Sequence, residues 1–138
     1  MSTTYVVDAC ALLAFLNDES GANMFDALLQ QVKIGECTLF MHTLNVLEIY
    51  YGVFREDGQA KAEDVLAKIL ALPMTIVENL SEAVFKEAGR LKAVYRVSLA
   101  DAIALAEAKT RHTHLVTSDH HEFDPIEQQK DVKFYWIR

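Results

Sequence analysis

The period of the apolar positions changes repeatedly along the chain, and each change marks an element. Thr4-Tyr5-Val6-Val7-Asp8 is a β-branched and aromatic run followed at once by the apolar stretch Ala9 to Leu16, the pattern of a strand feeding a helix. From Ala22 to Val32 the apolar residues fall at Met24/Phe25, Leu28/Leu29 and Val32, the spacing of an amphipathic helix. Thr38-Leu39-Phe40-Met41 reads as a second strand. Thr43 is placed to cap a helix from Leu44 to about Arg55, and Gly58 separates it from another whose stripe is Val65, Leu66, Ile69 and Leu70, closed by Pro73. Met74-Thr75-Ile76-Val77 reads as a third strand. Ser81 caps a helix reaching Tyr95, and Ser98 caps one reaching Thr110. Leu115-Val116-Thr117 and Val132 to Ile137 supply the last two strands.

Strands that alternate with helices predict an α/β fold: a mostly parallel sheet covered on both faces, hence three α/β/α layers. Ligands in such sheets bind beyond the carboxyl ends of the strands, where Asp8 and Asp119 fall. The 138 residues fit one domain, 1–138, and 51% hydrophobic against 24% charged residues is enough apolar surface for a packed core. The longest apolar run, Ala9 to Leu16, is too short to span a bilayer, and Met1-Ser2-Thr3-Thr4 lacks the basic region of a signal peptide. A cytoplasmic protein is therefore expected, with no membrane partner and with Cys10 and Cys37 reduced. The net charge of −7 argues against coating nucleic acid by bulk charge, while leaving room for a local site in which a bound cation offsets part of it.

Four carboxylates carry the candidate chemistry, and each has a plainer reading. Asp8, between a strand and a helix, is as good an N-cap as a ligand. Glu48 falls on the same helical face as Leu44, Leu47 and Tyr51, where a lone buried carboxylate is costly. It must reach the helix end, pair with a base or bind a cation, and the cation is favoured. Asp101 fits a capping box in Ser98-Leu99-Ala100-Asp101, yet the helix it opens is apolar and small on nearly every face. That predicts a central helix whose buried positive end would depress the Asp101 pKa. Asp119, after the strand Leu115-Val116-Thr117, alone suggests a turn. Together the four are expected to converge on one sheet edge. Two unit charges ~4 Å apart at a dielectric of ~20 repel by about 4 kcal/mol, which only protons or a metal relieve. Oxygen ligands suit Mg²⁺ or Mn²⁺ rather than zinc, and the chemistry such a site supports best is phosphodiester hydrolysis by an activated water.

In these residues the chain resembles the PIN domain family, and within it the VapC-type toxin ribonucleases of bacterial toxin–antitoxin pairs. The resemblance rests on Val6-Val7-Asp8-Ala9, on Glu48 in Leu47-Glu48-Ile49-Tyr50-Tyr51-Gly52, on Leu99-Ala100-Asp101-Ala102 and on Leu115-Val116-Thr117-Ser118-Asp119, in that order over most of the chain. It implies a flavodoxin-like α/β/α fold, and an acidic Mg²⁺ or Mn²⁺ site made of Asp8, Glu48, Asp101 and Asp119. Thr117 supports that site, as does Cys10, which stands where many relatives carry Ser or Thr. It implies further a metal-dependent endoribonuclease acting on structured RNA such as tRNA or rRNA, a homodimer, and a VapB-like cognate antitoxin that blocks the site.

Other features are set aside. Among His112, His114, His120 and His121 no zinc spacing appears, and they read as exposed loop histidines, with His120 and His121 kept as candidate phosphate contacts. Asp124, in Phe123-Asp124-Pro125, reads as a further ligand or a turn. Lys86, Arg90, Lys92 and Arg96 share a helix and either steer RNA or form a solvated face beside Glu82 and Glu87. Tyr50, Tyr51 and Phe54 either stack bases or serve the core or a dimer interface. Two alternatives to the nuclease remain: a metal-dependent hydrolase of small phosphoesters, weakened because position 10 is Cys rather than Asp, and a non-catalytic binding module.

Overall fold

The computed structural model describes residues 3–138, so Met1 and Ser2 of the amino-terminal segment read above lie outside the described residues. The chain runs β1 (Thr3–Val7), α1 (Ala9–Leu16), α2 (Ala22–Lys33), β2 (Cys37–His42), α3 (Thr43–Asp57), α4 (Gln59–Ala71), β3 (Thr75–Val77), α5 (Glu82–Val94), α6 (Leu99–Thr110), β4 (His114–Thr117), α7 (His120–Gln128) and β5 (Lys133–Trp136). All strand pairs are parallel, in the order β3-β2-β1-β4-β5. The expected three-layer α/β/α architecture is therefore present.

Strand alternation divides the core between the two sheet faces. Val6 and Leu115 join one cluster with Leu91, Ala104, Leu105, Phe123 and Ile126, from α5, α6 and α7. Val7, Val116, Leu39 and Met41 point the other way, onto Leu12, Phe25, Leu28, Ile49 and Ile69 from α1 to α4. Helix α6 is buried from Ala102 through Ala108, which the small, all-round apolar sequence required. Its one buried charge, Glu107, is met by Arg111 Nε at 2.8 Å.

The strand order fixes where a ligand fits. From β1 the chain winds outward through β2 to β3, then returns across the sheet to β4 on the other side of β1. The connections leaving β1 and β4 therefore diverge to opposite faces, and a crevice opens between the carboxyl ends of these two strands. Asp8 follows β1 and Asp119 follows β4.

Three readings need correction. The cap of α3 is His42, whose Nδ1 accepts from Leu44 N at 3.1 Å, and not Thr43, which is already helical. The segment from His120 is a helix and not a loop: Asp119 caps it, and Phe123 and Ile126, three apart, are fully buried. Finally, His114 is neither exposed nor in a loop: it is half-buried and opens β4 at the amino edge of the sheet.

Candidate active site

Asp8 is 1% exposed at the end of β1. Its Oδ1 accepts the Ala11 N–H at 2.8 Å, so it caps α1, and its Oδ2 accepts the Thr117 hydroxyl at 2.5 Å. The cap and ligand readings are thus compatible, because a carboxylate holding one donor on each oxygen keeps lone pairs for another. Thr117 Oγ1 in turn accepts the Asp119 N–H at 3.1 Å. One threonine thereby ties the end of β1 to the turn after β4. Asp119 caps α7 through Oδ1, which accepts from Glu122 N at 3.1 Å. Cys10 Sγ lies 3.0 Å from Ser118 Oγ, a second tie across the same crevice.

Asp101 comes from the first turn of α6, where Ser98 Oγ accepts its N–H at 3.1 Å. The start of this helix lies at a rim rather than in the interior, with Leu99 61% exposed. Glu48 arrives from α3 and is half-buried. The face of α3 turned to the core is Asn45, Val46 and Ile49. The stripe on which Glu48 was read is another one, with Leu47 and Tyr51 about half exposed. Glu48 therefore sits on the wall of an open groove of about 230 Å³ between α3 and α6, with Leu44, Leu47, Tyr51, Leu99 and Ile103 around it.

The charges of Asp8, Asp101 and Asp119 lie within Coulombic reach of one another, as do those of Glu48 and Asp101. Burial pushes Asp8 up to about 7, against the Thr117 and Ala11 hydrogen bonds, and the charges of Asp101 and Asp119 push the same way. Burial also pushes Asp101 up to about 6, helped by the charges of Glu48, Asp119 and Glu122 and opposed by Ser98. This reverses the expected depression at the helix start: desolvation and crowding by like charges outweigh the helix dipole. Burial raises Glu48 as well.

Two participants escaped the sequence reading. Glu122 adds a further carboxylate near Asp101, unseen because α7 was read as a loop. Asn45 is fully buried and donates Nδ2 to Ala100 O at 3.0 Å, fixing the first turn of α6 against α3, while its Oδ1 has no hydrogen-bond partner among the described residues. An amide beside the apolar core-facing residues Val46 and Ile49 of α3 was the available signal. A buried unpaired acceptor costs about 1–3 kcal/mol, and a cation or the water around one would satisfy it. Among the described residues, no three acids, imidazoles or thiols stand close enough to ligate one ion together. The acids face one another at Coulombic rather than ligating range. In donor chemistry, though not in their present spacing, these carboxylates suit a hard divalent cation, which prefers oxygen ligands.

The basic residues of α5 are mostly spoken for. Lys86 pairs with Glu82 at 2.9 Å, and Arg90 bridges Glu87 at 2.5 Å and Asp131 at 2.7 Å. Lys109 also reaches Asp131, whose carboxyl is held well below the usual range by its hydrogen bonds from Arg90, Lys109 and Tyr95. This network stitches α5 and α6 to the loop before β5, which favours the solvated-face reading over RNA steering.

The chain is similar in fold to structures of toxin–antitoxin proteins. DNA-bound VapBC from Salmonella typhimurium superposes with a TM-score of 0.75 at 13% identity, covering 100% of both chains. VapBC2 from Rickettsia felis, bound to a DNA fragment from its promoter, gives 0.74 at 16% identity over 96% of this chain and 98% of that one. VapBC-1 from nontypeable Haemophilus influenzae gives 0.72 at 15% identity over 98% of each. No curated protein sequence matches the chain. The model of the PIN domain matches residues 5–127, from β1 into α7 and across Asp8, Glu48, Asp101, Asp119 and Glu122, and the chain belongs to the PIN domain family.

Proposed function

We propose that this protein is a divalent-metal-dependent endoribonuclease, the VapC-type toxin of a toxin–antitoxin pair. What supports the reading is the placement of Asp8 and Asp119 at the switch point of the sheet, with Asp101 in Coulombic reach of both and of Glu48, and with Asp8 and Asp101 raised to about 7 and 6 by burial first and by neighbouring charge. Perturbed carboxylates in a crevice mark a working site better than a structural one. Asp8, Glu48, Asp101 and Asp119 would hold Mg²⁺ or Mn²⁺. When bound, such an ion lowers the pKa of a coordinated water and offsets charge on the phosphoryl oxygens.

The chain's own groups prepare that site. Thr117 holds Asp8 and the Asp119 backbone in fixed register. Asn45 and Ser98 fix the start of α6 and so place Asp101, and Cys10 and Ser118 close the crevice behind Asp8. The family resemblance supports structured RNA, tRNA or rRNA, as the substrate. The VapBC neighbours support a VapB-like antitoxin as partner. The exposed Leu47, Tyr51, Phe54 and Leu99 beside Glu48 support a protein-covered face, which we assign to a homodimer. Among the described residues no helix is long and apolar enough to cross a membrane, in keeping with a cytoplasmic location.

The test is incubation of the purified protein with total RNA in Mg²⁺ or Mn²⁺, with new ends mapped by sequencing. Discrete ends that vanish in EDTA and in Asp101→Asn are expected. Ends that persist in either control would overturn the assignment.

A further inference from the structure

The histidine that opens α7 belongs to a structure the acid site does not use. Phe123, Phe134, Trp136 and His120 form a ladder of parallel rings, with centroids 5.5, 5.1 and 3.7 Å apart in turn. The last step is the tightest, the imidazole lying 13° from the indole plane. Both ring edges of His120 face acceptors, Nδ1 donating to Asp124 Oδ1 at 2.9 Å and Nε2 to the Arg138 carbonyl at 2.8 Å, which together take both N–H groups of the imidazolium. The indole is fixed likewise, its Nε1 donating to Glu127 Oε2 at 2.8 Å. Yet the His120 side chain remains 47% exposed. With one face on Trp136 and both nitrogens satisfied, what it offers outward is its second face.

That face lies at the carboxyl edge of the sheet. Trp136 pairs with Thr117 across β4 and β5, and His120 is the neighbour of Asp119 in the chain. A flat group with its polar edges already bonded makes contact by stacking, and the planar ligand of a site built for phosphodiesters is the base one sugar away from the phosphate. The charge balance points the same way: 13 basic against 20 acidic residues leave little phosphate attraction, so affinity must come from base faces. The ladder is held by α7 before any ligand arrives, so little ordering remains to be done on binding.

We propose that His120, seated on Trp136, is the stacking platform for a nucleobase of single-stranded RNA beside the acid site. This rests on the nuclease reading and specifies a contact for its substrate. Alanine substitution at such platforms weakens binding by roughly 5- to 150-fold per base.

The test compares a short oligoadenylate with an abasic ribose-phosphate chain of the same length and charge. Binding is read by anisotropy in the full-length Asp101→Asn protein in Mn²⁺, so that nothing is cut. The oligoadenylate is expected to bind about 10-fold or more tightly than the abasic chain. That preference should collapse in His120→Ala and survive in His120→Phe, which keeps a ring without the hydrogen bonds. A purely structural loss in His120→Ala would weaken both probes alike, and an unchanged preference would remove the platform; either result overturns the inference. If neither probe binds while the wild type still cuts total RNA, the platform fails and the nuclease reading stands. If total RNA is also left uncut, both fail.

Discussion

Thr117 is the smallest group on which the site depends. Its hydroxyl donates a hydrogen bond to Asp8 and accepts one from the Asp119 N–H, so Thr117→Val removes a donor from a fully buried carboxylate without changing side-chain shape much. Partners of this kind are worth about 10–100-fold in metal affinity, and a loss of that size is expected when Mn²⁺ binding is measured by calorimetry. The raised acids also set a pH dependence. Their folded pKa values, about 7 for Asp8 and about 6 for Asp101, lie above the 3.8 of the free side chain. The protonated forms therefore stabilise the metal-free fold below about pH 4, and that contribution is lost as pH rises through 6 to 7. Mn²⁺ needs the ionised forms, so its affinity should climb over the same interval and level off above it. Melting curves from pH 5 to 8 should show the metal-free Tm falling while the increment from Mn²⁺ grows. An increment independent of pH would mean that these two acids do not hold the ion.

At the scale of elements, what could be read from the sequence was whatever a short range of chain decides. Ser81 and Ser98 cap their helices as their spacing implied, and the β1-to-α1 junction with Asp8 as cap is set by adjacent residues. Two things were not local. Helix α3 carries apolar residues on two neighbouring stripes, and periodicity cannot say which meets the sheet: Val46 and Ile49 do, while Leu47 and Tyr51 do not. Helix α7 contains Pro125 and buries only Phe123 and Ile126, too weak a pattern to outweigh its histidines and proline. Glu122 and the His120–Trp136 stack were hidden with it. Helix α6 offers a direct energetic test. Arg111 is the only base meeting the buried Glu107 among the described residues, and it also covers the Phe40 ring at 4.1 Å. Arg111→Ala should cost about 3 kcal/mol, lowering Tm by roughly 6–12 °C. Replacing Glu107 and Arg111 together with leucine should recover much of that loss, since no uncompensated charge is left behind.

For the whole molecule, the charge and the topology make one argument. A chain of net charge −7 whose α5 bases are tied to Glu82, Glu87 and Asp131 cannot hold RNA through many phosphate contacts. Its RNA affinity should fall far less between 50 and 200 mM salt than the roughly 10³–10⁵-fold of proteins making 6–10 such contacts. A steep salt dependence measured by anisotropy would contradict this. On the proposed reading, binding concentrates where the sheet opens between β1 and β4, where Asp8 and Asp119 follow adjacent strands and Asp101 lies within Coulombic reach of Asp8. That Asp8 and Asp119 follow two parallel strands was legible in the sequence. The upward push on the Asp8 and Asp101 pKa values was not, because it comes first from burial that only the packed layers create. The most direct measurement is titration of the protein with Mn²⁺ at about pH 8, followed by calorimetry and Tm, in the wild type and in Asp8→Asn, Glu48→Gln, Asp101→Asn and Asp119→Asn. The account predicts saturable binding and a rise in Tm in the wild type, with loss of both in each variant that remains folded. Undiminished binding in Asp101→Asn, or no binding in the wild type, would contradict a shared cation site.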